Sequence, residues 1–232
     1  MPKPWTDGPR ELLQHAVDHL AHDGDFDRRI AMISVDNAVE LMVKTHLGLP
    51  RRARGGGGPS RKELEEASET FPALLDLLDR HDSDKITGLS LDDIEWFHRI
   101  RNQLYHSGNG ITVETSKVEA YLQLAVTLFQ NLFGVAVPVD ASGALKTKTG
   151  EFLLLWNQFQ AKLREQLPPR ESGTPAYSWK TTHLGTIDPS LPSRYELLSI
   201  FRNALVHGVD TPAPEVLDSH IRALRELIRK LN

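Results

Sequence analysis

The chain has 232 residues, 40% hydrophobic and 25% charged, with 27 basic against 31 acidic side chains and a net charge of −4. That length buries a full core in one large or two small domains. The acidic balance gives no whole-molecule attraction to nucleic acid or an anionic membrane, and the lack of cysteine excludes disulfides and thiolate metal ligands and suits a reducing compartment.

The opening stretch MPKPWTDGPRELL has no basic-then-apolar signal-peptide pattern. The most apolar run, YLQLAVTLFQNLFGVAVPV, is interrupted by Gln123, Gln130, Asn131 and Gly134 and is too polar for a membrane span. The expectation is a soluble, cytoplasmic protein with no membrane partner. Helical periodicity dominates and alternating strands are absent. A first helix is predicted over 10–22, with Leu12, Leu13, Ala16, Val17 and Leu20 on one stripe. His15, His19 and His22 recur there at i, i+4 and i+7, a spacing open to metal ligation. No base or second ligand-bearing segment accompanies them, so they read as a solvated face, and no metal or cofactor is assigned. A second helix is predicted over 25–47, buried through Ile30, Ile33, Ala38, Leu41, Met42 and Thr45 and stopped by Gly48 and Pro50.

PRRARGGGGPSRK reads as a loop, because four glycines cost too much backbone entropy inside a packed element. It lacks the Gly-Lys-Ser/Thr ending and preceding strand of a phosphate-binding loop. Arg51, Arg52, Arg54, Arg61 and Lys62 make it the densest basic cluster of the chain, either a contact for RNA phosphates or an ordinary solvated loop. Helices follow over 71–80, from an N-cap at Ser90 to His106, and over 115–133. GVAVPVDASGALKTKTG divides a domain at 1–139 from a shorter one at 140–232. The second holds helices over 150–167, 194–207 and 214–231, with 168–193 a Pro-rich connection lacking clear structure. Trp96, Trp156 and Trp179 read as packing residues, since no basic residues interleave with them. The fold class is all-α, built of helical bundles.

One polar string is written twice. RIRNQLYHSGNG and IFRNALVHGVD both contain Arg-Asn-x-Leu-x-His, with Glu95 and Glu196 each six positions before the Arg. Glu95, Asn102 and His106 fall at i, i+7 and i+11, as do Glu196, Asn203 and His207. On a helix those positions lie within about 20° of one line. Arg101 and Arg202 stand one residue ahead of the Asn, and each His lies in the last turn before glycine, at the negative end of the helix dipole. A fixed cation, an amide and an imidazole at one helix end suit a phosphodiester. The Arg grips phosphate oxygens and the His moves protons. Two copies facing each other in a composite site, within one chain or across a dimer, would supply the base and the acid that cleavage through the RNA 2′-hydroxyl uses. The plainer reading makes each string a surface helix end, with Asn capping and Arg paired to Glu.

These residues carry a resemblance to the HEPN superfamily, all-α proteins whose ribonuclease members bear an Arg-x4–6-His motif near a helix end. DIEWFHRIRNQLYHSGNGITVETSKVEAYLQLAVTLFQNLF is similar to that pattern of motif helix, short turn and long amphipathic helix, and AMISVDNAVELMVKTHLG extends the likeness across residues 10–134. Residues 150–232 resemble it more loosely, as a shorter, divergent unit, so the chain looks like an intrachain pseudo-dimer of HEPN-like units. The resemblance implies a metal-independent endoribonuclease that leaves 2′,3′-cyclic phosphate. Arg101, Asn102, His106, Arg202, Asn203 and His207 would be its catalytic residues. It further implies RNA as substrate, a possible homodimer, and a cognate antitoxin or activator in a toxin–antitoxin or anti-phage setting. Some HEPN toxins carry a modifiable Tyr two residues after the His. Gly108 and Val209 stand there instead, which argues against that control. The alternative is a non-catalytic HEPN-like interaction or dimerisation module.

Overall fold

A computed structural model describes residues 3–22, 24–54, 57–86, 89–106, 112–135, 137, 147–168, 176–207 and 212–231, and among them every regular element is helical. The all-α expectation therefore holds. The chain forms two compact units, Met1–Lys146 and Thr147–Asn232. The boundary expected between 139 and 140 lies outside the described residues. Among the described residues no helix is long and apolar enough to cross a membrane.

The first unit is organised around one helix. α1 (Asp7–His22) packs along α2 (Asp25–Gly48), and α2 in turn touches α4 (Arg61–Ala67), α5 (Phe71–Asp82), α6 (Leu91–His106) and α7 (Thr115–Phe133). The centrality of α2 follows from its sequence. Ala31, Met32, Val35, Ala38, Val39, Met42 and Val43 are all withdrawn from solvent and spread over about 140° of the helix surface, a face broad enough for several neighbours to cover. Each larger apolar side chain so buried contributes about 1.5–3 kcal/mol. Ser90 caps α6 as predicted, its Oγ accepting the Asp93 N–H at 3.3 Å. α7 ends on Gly134 at φ +64, where the backbone N–H returns to the Gln130 carbonyl at 2.9 Å. Glycine takes that left-handed conformation without the Cβ penalty.

The segment predicted as a loop is partly helical. α3 (Arg51–Arg54) is a single turn, and α4 starts immediately after Ser60. Ser60 and Glu63 form a reciprocal capping box, Glu63 N–H to Ser60 Oγ at 3.2 Å and Ser60 N–H to Glu63 Oε2 at 2.7 Å. Two orphan amides are thereby satisfied, which offsets the glycine-rich approach.

In the second unit α8 (Lys148–Gln166) packs along α11 (Pro214–Lys230), while α10 (Leu191–His207) touches both α9 (Ala176–Ile187) and α11. Leu217, Ile221, Leu224 and Leu227 give α11 a sharp apolar stripe, and Trp156 stacks on Tyr195 at 5.7 Å in the same core. Ion pairs Lys148–Asp218 at 2.5 Å and Arg225–Glu151 at 2.6 Å border the α8–α11 seam. The helix α9 corrects the expectation of an unstructured 168–193 connection. Its buried Lys180 donates to Gln160 Oε1 at 3.0 Å, and Leu184 is fully buried.

A buried histidine closes the first unit at the end of α2. His46 is only 2% exposed, its Nε2 is 3.3 Å from Asp82, and its ring meets Phe133 edge-on at 6.3 Å. Asp82 also pairs with Arg54. Burial holds the His46 pKa below its ordinary 6.5, and the Arg54 cation adds to that, against the pull of Asp82. The folded protein therefore keeps the ring neutral where the unfolded chain would protonate it. The resulting stability is complete above about pH 6.5 and is lost as pH falls below it. Thermal melts between pH 7.5 and pH 5 should show a falling Tm, and the fall should be smaller in His46→Gln.

Candidate functional site

The site begins with an acid in the wrong place. Asp36 lies on α2 among apolar neighbours and is fully buried. An ionised carboxylate there costs several kcal/mol unless it is paired and hydrogen-bonded. Three donors meet it, from two further helices. Arg101 of α6 donates through Nε to Oδ2 at 2.6 Å, with Nη2 at 2.6 Å from the same oxygen. His98, one turn earlier on α6, places Nδ1 3.0 and 3.1 Å from the two carboxylate oxygens. Tyr121 of α7 donates its hydroxyl to Oδ1 at 2.8 Å. Burial raises the Tyr121 pKa well above its ordinary value, and the adjacent Asp36 carboxylate raises it further, so the phenol remains a donor.

Around that hub the first motif takes shape. Arg101 Nη1 donates to Asn102 Oδ1 at 2.9 Å, and Nη2 also lies 3.6 Å from Glu40. The guanidinium carbon sits 6.0 Å from the ring centre of Tyr105, which is 63% exposed, at the outer reach of a cation–π contact. His106 is exposed in the last turn of α6. Glu95 pairs loosely with Arg99 at 3.8 Å and takes no part in holding Arg101. The His98 ring stacks on Phe71 of α5 at 4.2 Å, and Phe97 stacks on Tyr121 at 4.6 Å beneath it.

The second motif repeats one contact. Arg202 Nη1 donates to Asn203 Oδ1 at 3.2 Å, as Arg101 does to Asn102. Arg202 is 4% exposed, while Asn203 and His207 face solvent at the end of α10. Phe201 beside it stacks on His220 of α11 at 3.7 Å. Where the first unit has His98, the second has Ser199.

Of the basic cluster, Arg52, Arg61 and Lys62 are exposed, and the Arg51 side chain lies outside the described residues. Arg54 is withdrawn from the RNA-facing role considered for it, because it donates to the Leu47 carbonyl at 3.1 Å and pairs with Asp82. His19 pairs with Asp27 at 2.7 Å and His22 with the Asp18 carbonyl at 2.8 Å. Among the described residues no group of three His, Asp or Glu side chains is arranged to hold a metal ion.

Asp36, Glu40, His98 and Tyr121 were not singled out in the sequence, though a signal existed. In AMISVDNAVELM the acids at 36 and 40 fall one turn apart, and Asp36 stands four residues after Met32, three before Val39 and seven before Val43, on the buried face those residues form and not on the predicted stripe, whose Leu41 is exposed. Compared with protein-family models, curated proteins and solved structures, the chain matches none.

Removing the Asp36 charge leaves a half-buried Arg101 without its main counter-ion. Asp36→Asn should therefore lower unfolding free energy by about 3–5 kcal/mol in urea titrations, whereas exposed Glu196→Gln should change it by about 0.5 kcal/mol or less.

Proposed function

We propose that this chain is a metal-independent, HEPN-type endoribonuclease acting through its Arg-Asn-x3-His motifs. The observation that carries the reading is the setting of Arg101. A buried carboxylate fixes one edge of its guanidinium, Asn102 takes Nη1, and an exposed His106 stands one turn beyond. A guanidinium has five N–H donors in a rigid fork, so one that is anchored along Nε keeps donors for phosphate oxygens. Held in advance, it offsets charge developing on the pentavalent phosphorus without reorganising. Histidine imidazoles act as the proton carriers: one takes the 2′-hydroxyl proton as O2′ attacks phosphorus, and one in a motif protonates the departing 5′-oxygen. The products are a 2′,3′-cyclic phosphate and a 5′-hydroxyl. The repeated Arg–Asn contact at Arg202 and Asn203 supports a related role for the second motif. A cytoplasmic setting, self-association and a cognate antitoxin or activator in defence or toxin–antitoxin biology belong to the same proposal.

A second reading is favoured by one feature of α10. Leu197 and Ile200 are 65% and 61% exposed on its outer face, beside Asn203 and His207. Apolar residues so placed suit a non-catalytic interaction module.

The two readings separate on one variant. Arg101→Ala is a poor choice, because it strips a buried carboxylate of its cation and costs stability whatever the function. His106 is exposed and makes no such contact. In the ribonuclease reading His106→Ala should slow cleavage of single-stranded RNA by at least ~100-fold, in EDTA as in buffer, with Tm unchanged. A parent protein that cleaves no RNA, but whose partner binding is lost on Leu197→Asp, would favour the interaction module.

A further inference from the structure

The ring nitrogen of His98 that does not face Asp36 has the geometry of a working base. A carboxylate hydrogen-bonded to one imidazole nitrogen fixes the tautomer, placing the proton on that nitrogen and the lone pair on the other. Here the carboxylate is fully buried and contacts Nδ1 through both oxygens, at 3.0 and 3.1 Å. The ring plane is held as well, by Phe71 stacked at 4.2 Å and 22°. Tautomer, position and plane are thus set by three helices, more than packing alone requires of a half-buried histidine. Arg101 shares the same carboxylate, three residues further along α6. His98, Arg101 with Asn102, and His106 therefore follow one another along a single helix.

We infer that His98 is a further catalytic residue of the first unit, the general base, with Asp36 as its positioning residue. This rests on the ribonuclease reading and deepens it. His98 Nε2 accepts the 2′-hydroxyl proton as the O2′–P bond forms. Arg101 holds the non-bridging oxygens, the P–O5′ bond breaks, and the 5′-oxygen takes the proton carried by His106. Eight residues of helix separate the two histidines by about 12 Å along the axis, with Arg101 and Asn102 between them. Base, phosphate grip and acid then belong to one unit. Ser199 at the matching position of α10 has no ring nitrogen to play the first part.

The groups facing His98 are Asp36 from α2, Arg101 on its own helix, with Glu40 behind Arg101, Tyr121 across Asp36 from α7, and the uncharged Phe71 from α5. Two measurements on the full chain test the role. Nitrogen-15 spectra of histidine-labelled protein at pH 8 should show His98 as the Nδ1–H tautomer, and an Nε2–H tautomer overturns the proposal whatever the activity. pH–rate profiles of RNA cleavage then compare the parent with His98→Gln, whose amide can still donate to Asp36. The variant should cut at least ~100-fold more slowly and lose the limb that rises with pH, at unchanged Tm. If His98→Gln keeps the parental rate and rising limb, or if that limb is lost in His207→Gln instead, His98 is not the base although the protein is a ribonuclease. If the parent cuts no RNA under any condition, the ribonuclease reading fails and takes this role with it.

Discussion

A carboxylate buried among apolar side chains sets the terms for the first unit. Asp36 would be expelled from the core were its charge not met by Arg101, His98 and Tyr121. Those three partners come from α6 and α7, so the acid fixes how both helices sit against α2. Sliding α6 by one turn would carry Arg101 away and leave the charge unanswered. Hydrophobic packing tolerates small slips between helices, whereas a buried ion pair with hydrogen bonds to both oxygens does not. The residue that defines the motif is therefore also a structural member, and the contacts that hold the fold are the ones that fix its guanidinium in place.

Much of this architecture is legible in the sequence, and the gaps have particular causes. Helices α1, α2, α5, α6 and α7 follow from apolar periodicity, and Ser90 announces the start of α6. α9 is hidden because its sequence, AYSWKTTHLGTI, is rich in β-branched and aromatic residues and carries almost no amphipathic stripe. It is recovered only through packing, by Leu184 and by the Lys180–Gln160 contact. α4 is announced by Ser60 and Glu63, a signal outweighed by the four glycines just before it. The polar hub is the instructive omission. The stripe through Ile30, Ile33, Leu41 and Thr45 faces away from Asp36, whereas the buried face runs through Met32, Val35, Val39 and Val43, so an acid at a core position is passed over where its charge is most informative.

The two copies of the string are alike in sequence and unlike in surroundings. Both arginines donate Nη1 to the following asparagine, a contact that adjacent residues on a helix make with no help from elsewhere. What distinguishes them lies outside the string. In the first unit the arginine is backed by Asp36 and Glu40 and preceded by a histidine at position 98. In the second, Arg202 is buried and position 199 is serine. A motif defined by spacing alone captures the part that the helix supplies by itself and misses the part that tertiary structure supplies.

That asymmetry bears on why the string occurs twice. If each copy were only half of a site, the two would be expected to carry matched chemistry, each offering one cation and one imidazole. Instead the first copy has two imidazoles flanking its cation, one fixed by a buried acid and one exposed at the helix end. A fixed ring would suit abstraction of a proton from a hydroxyl that must be aligned with phosphorus, and an exposed one delivery to an oxygen that is leaving. The second copy has its arginine buried and apolar Leu197 and Ile200 turned outward on the same helix, so in the proposed ribonuclease its part in the chemistry differs from that of the first.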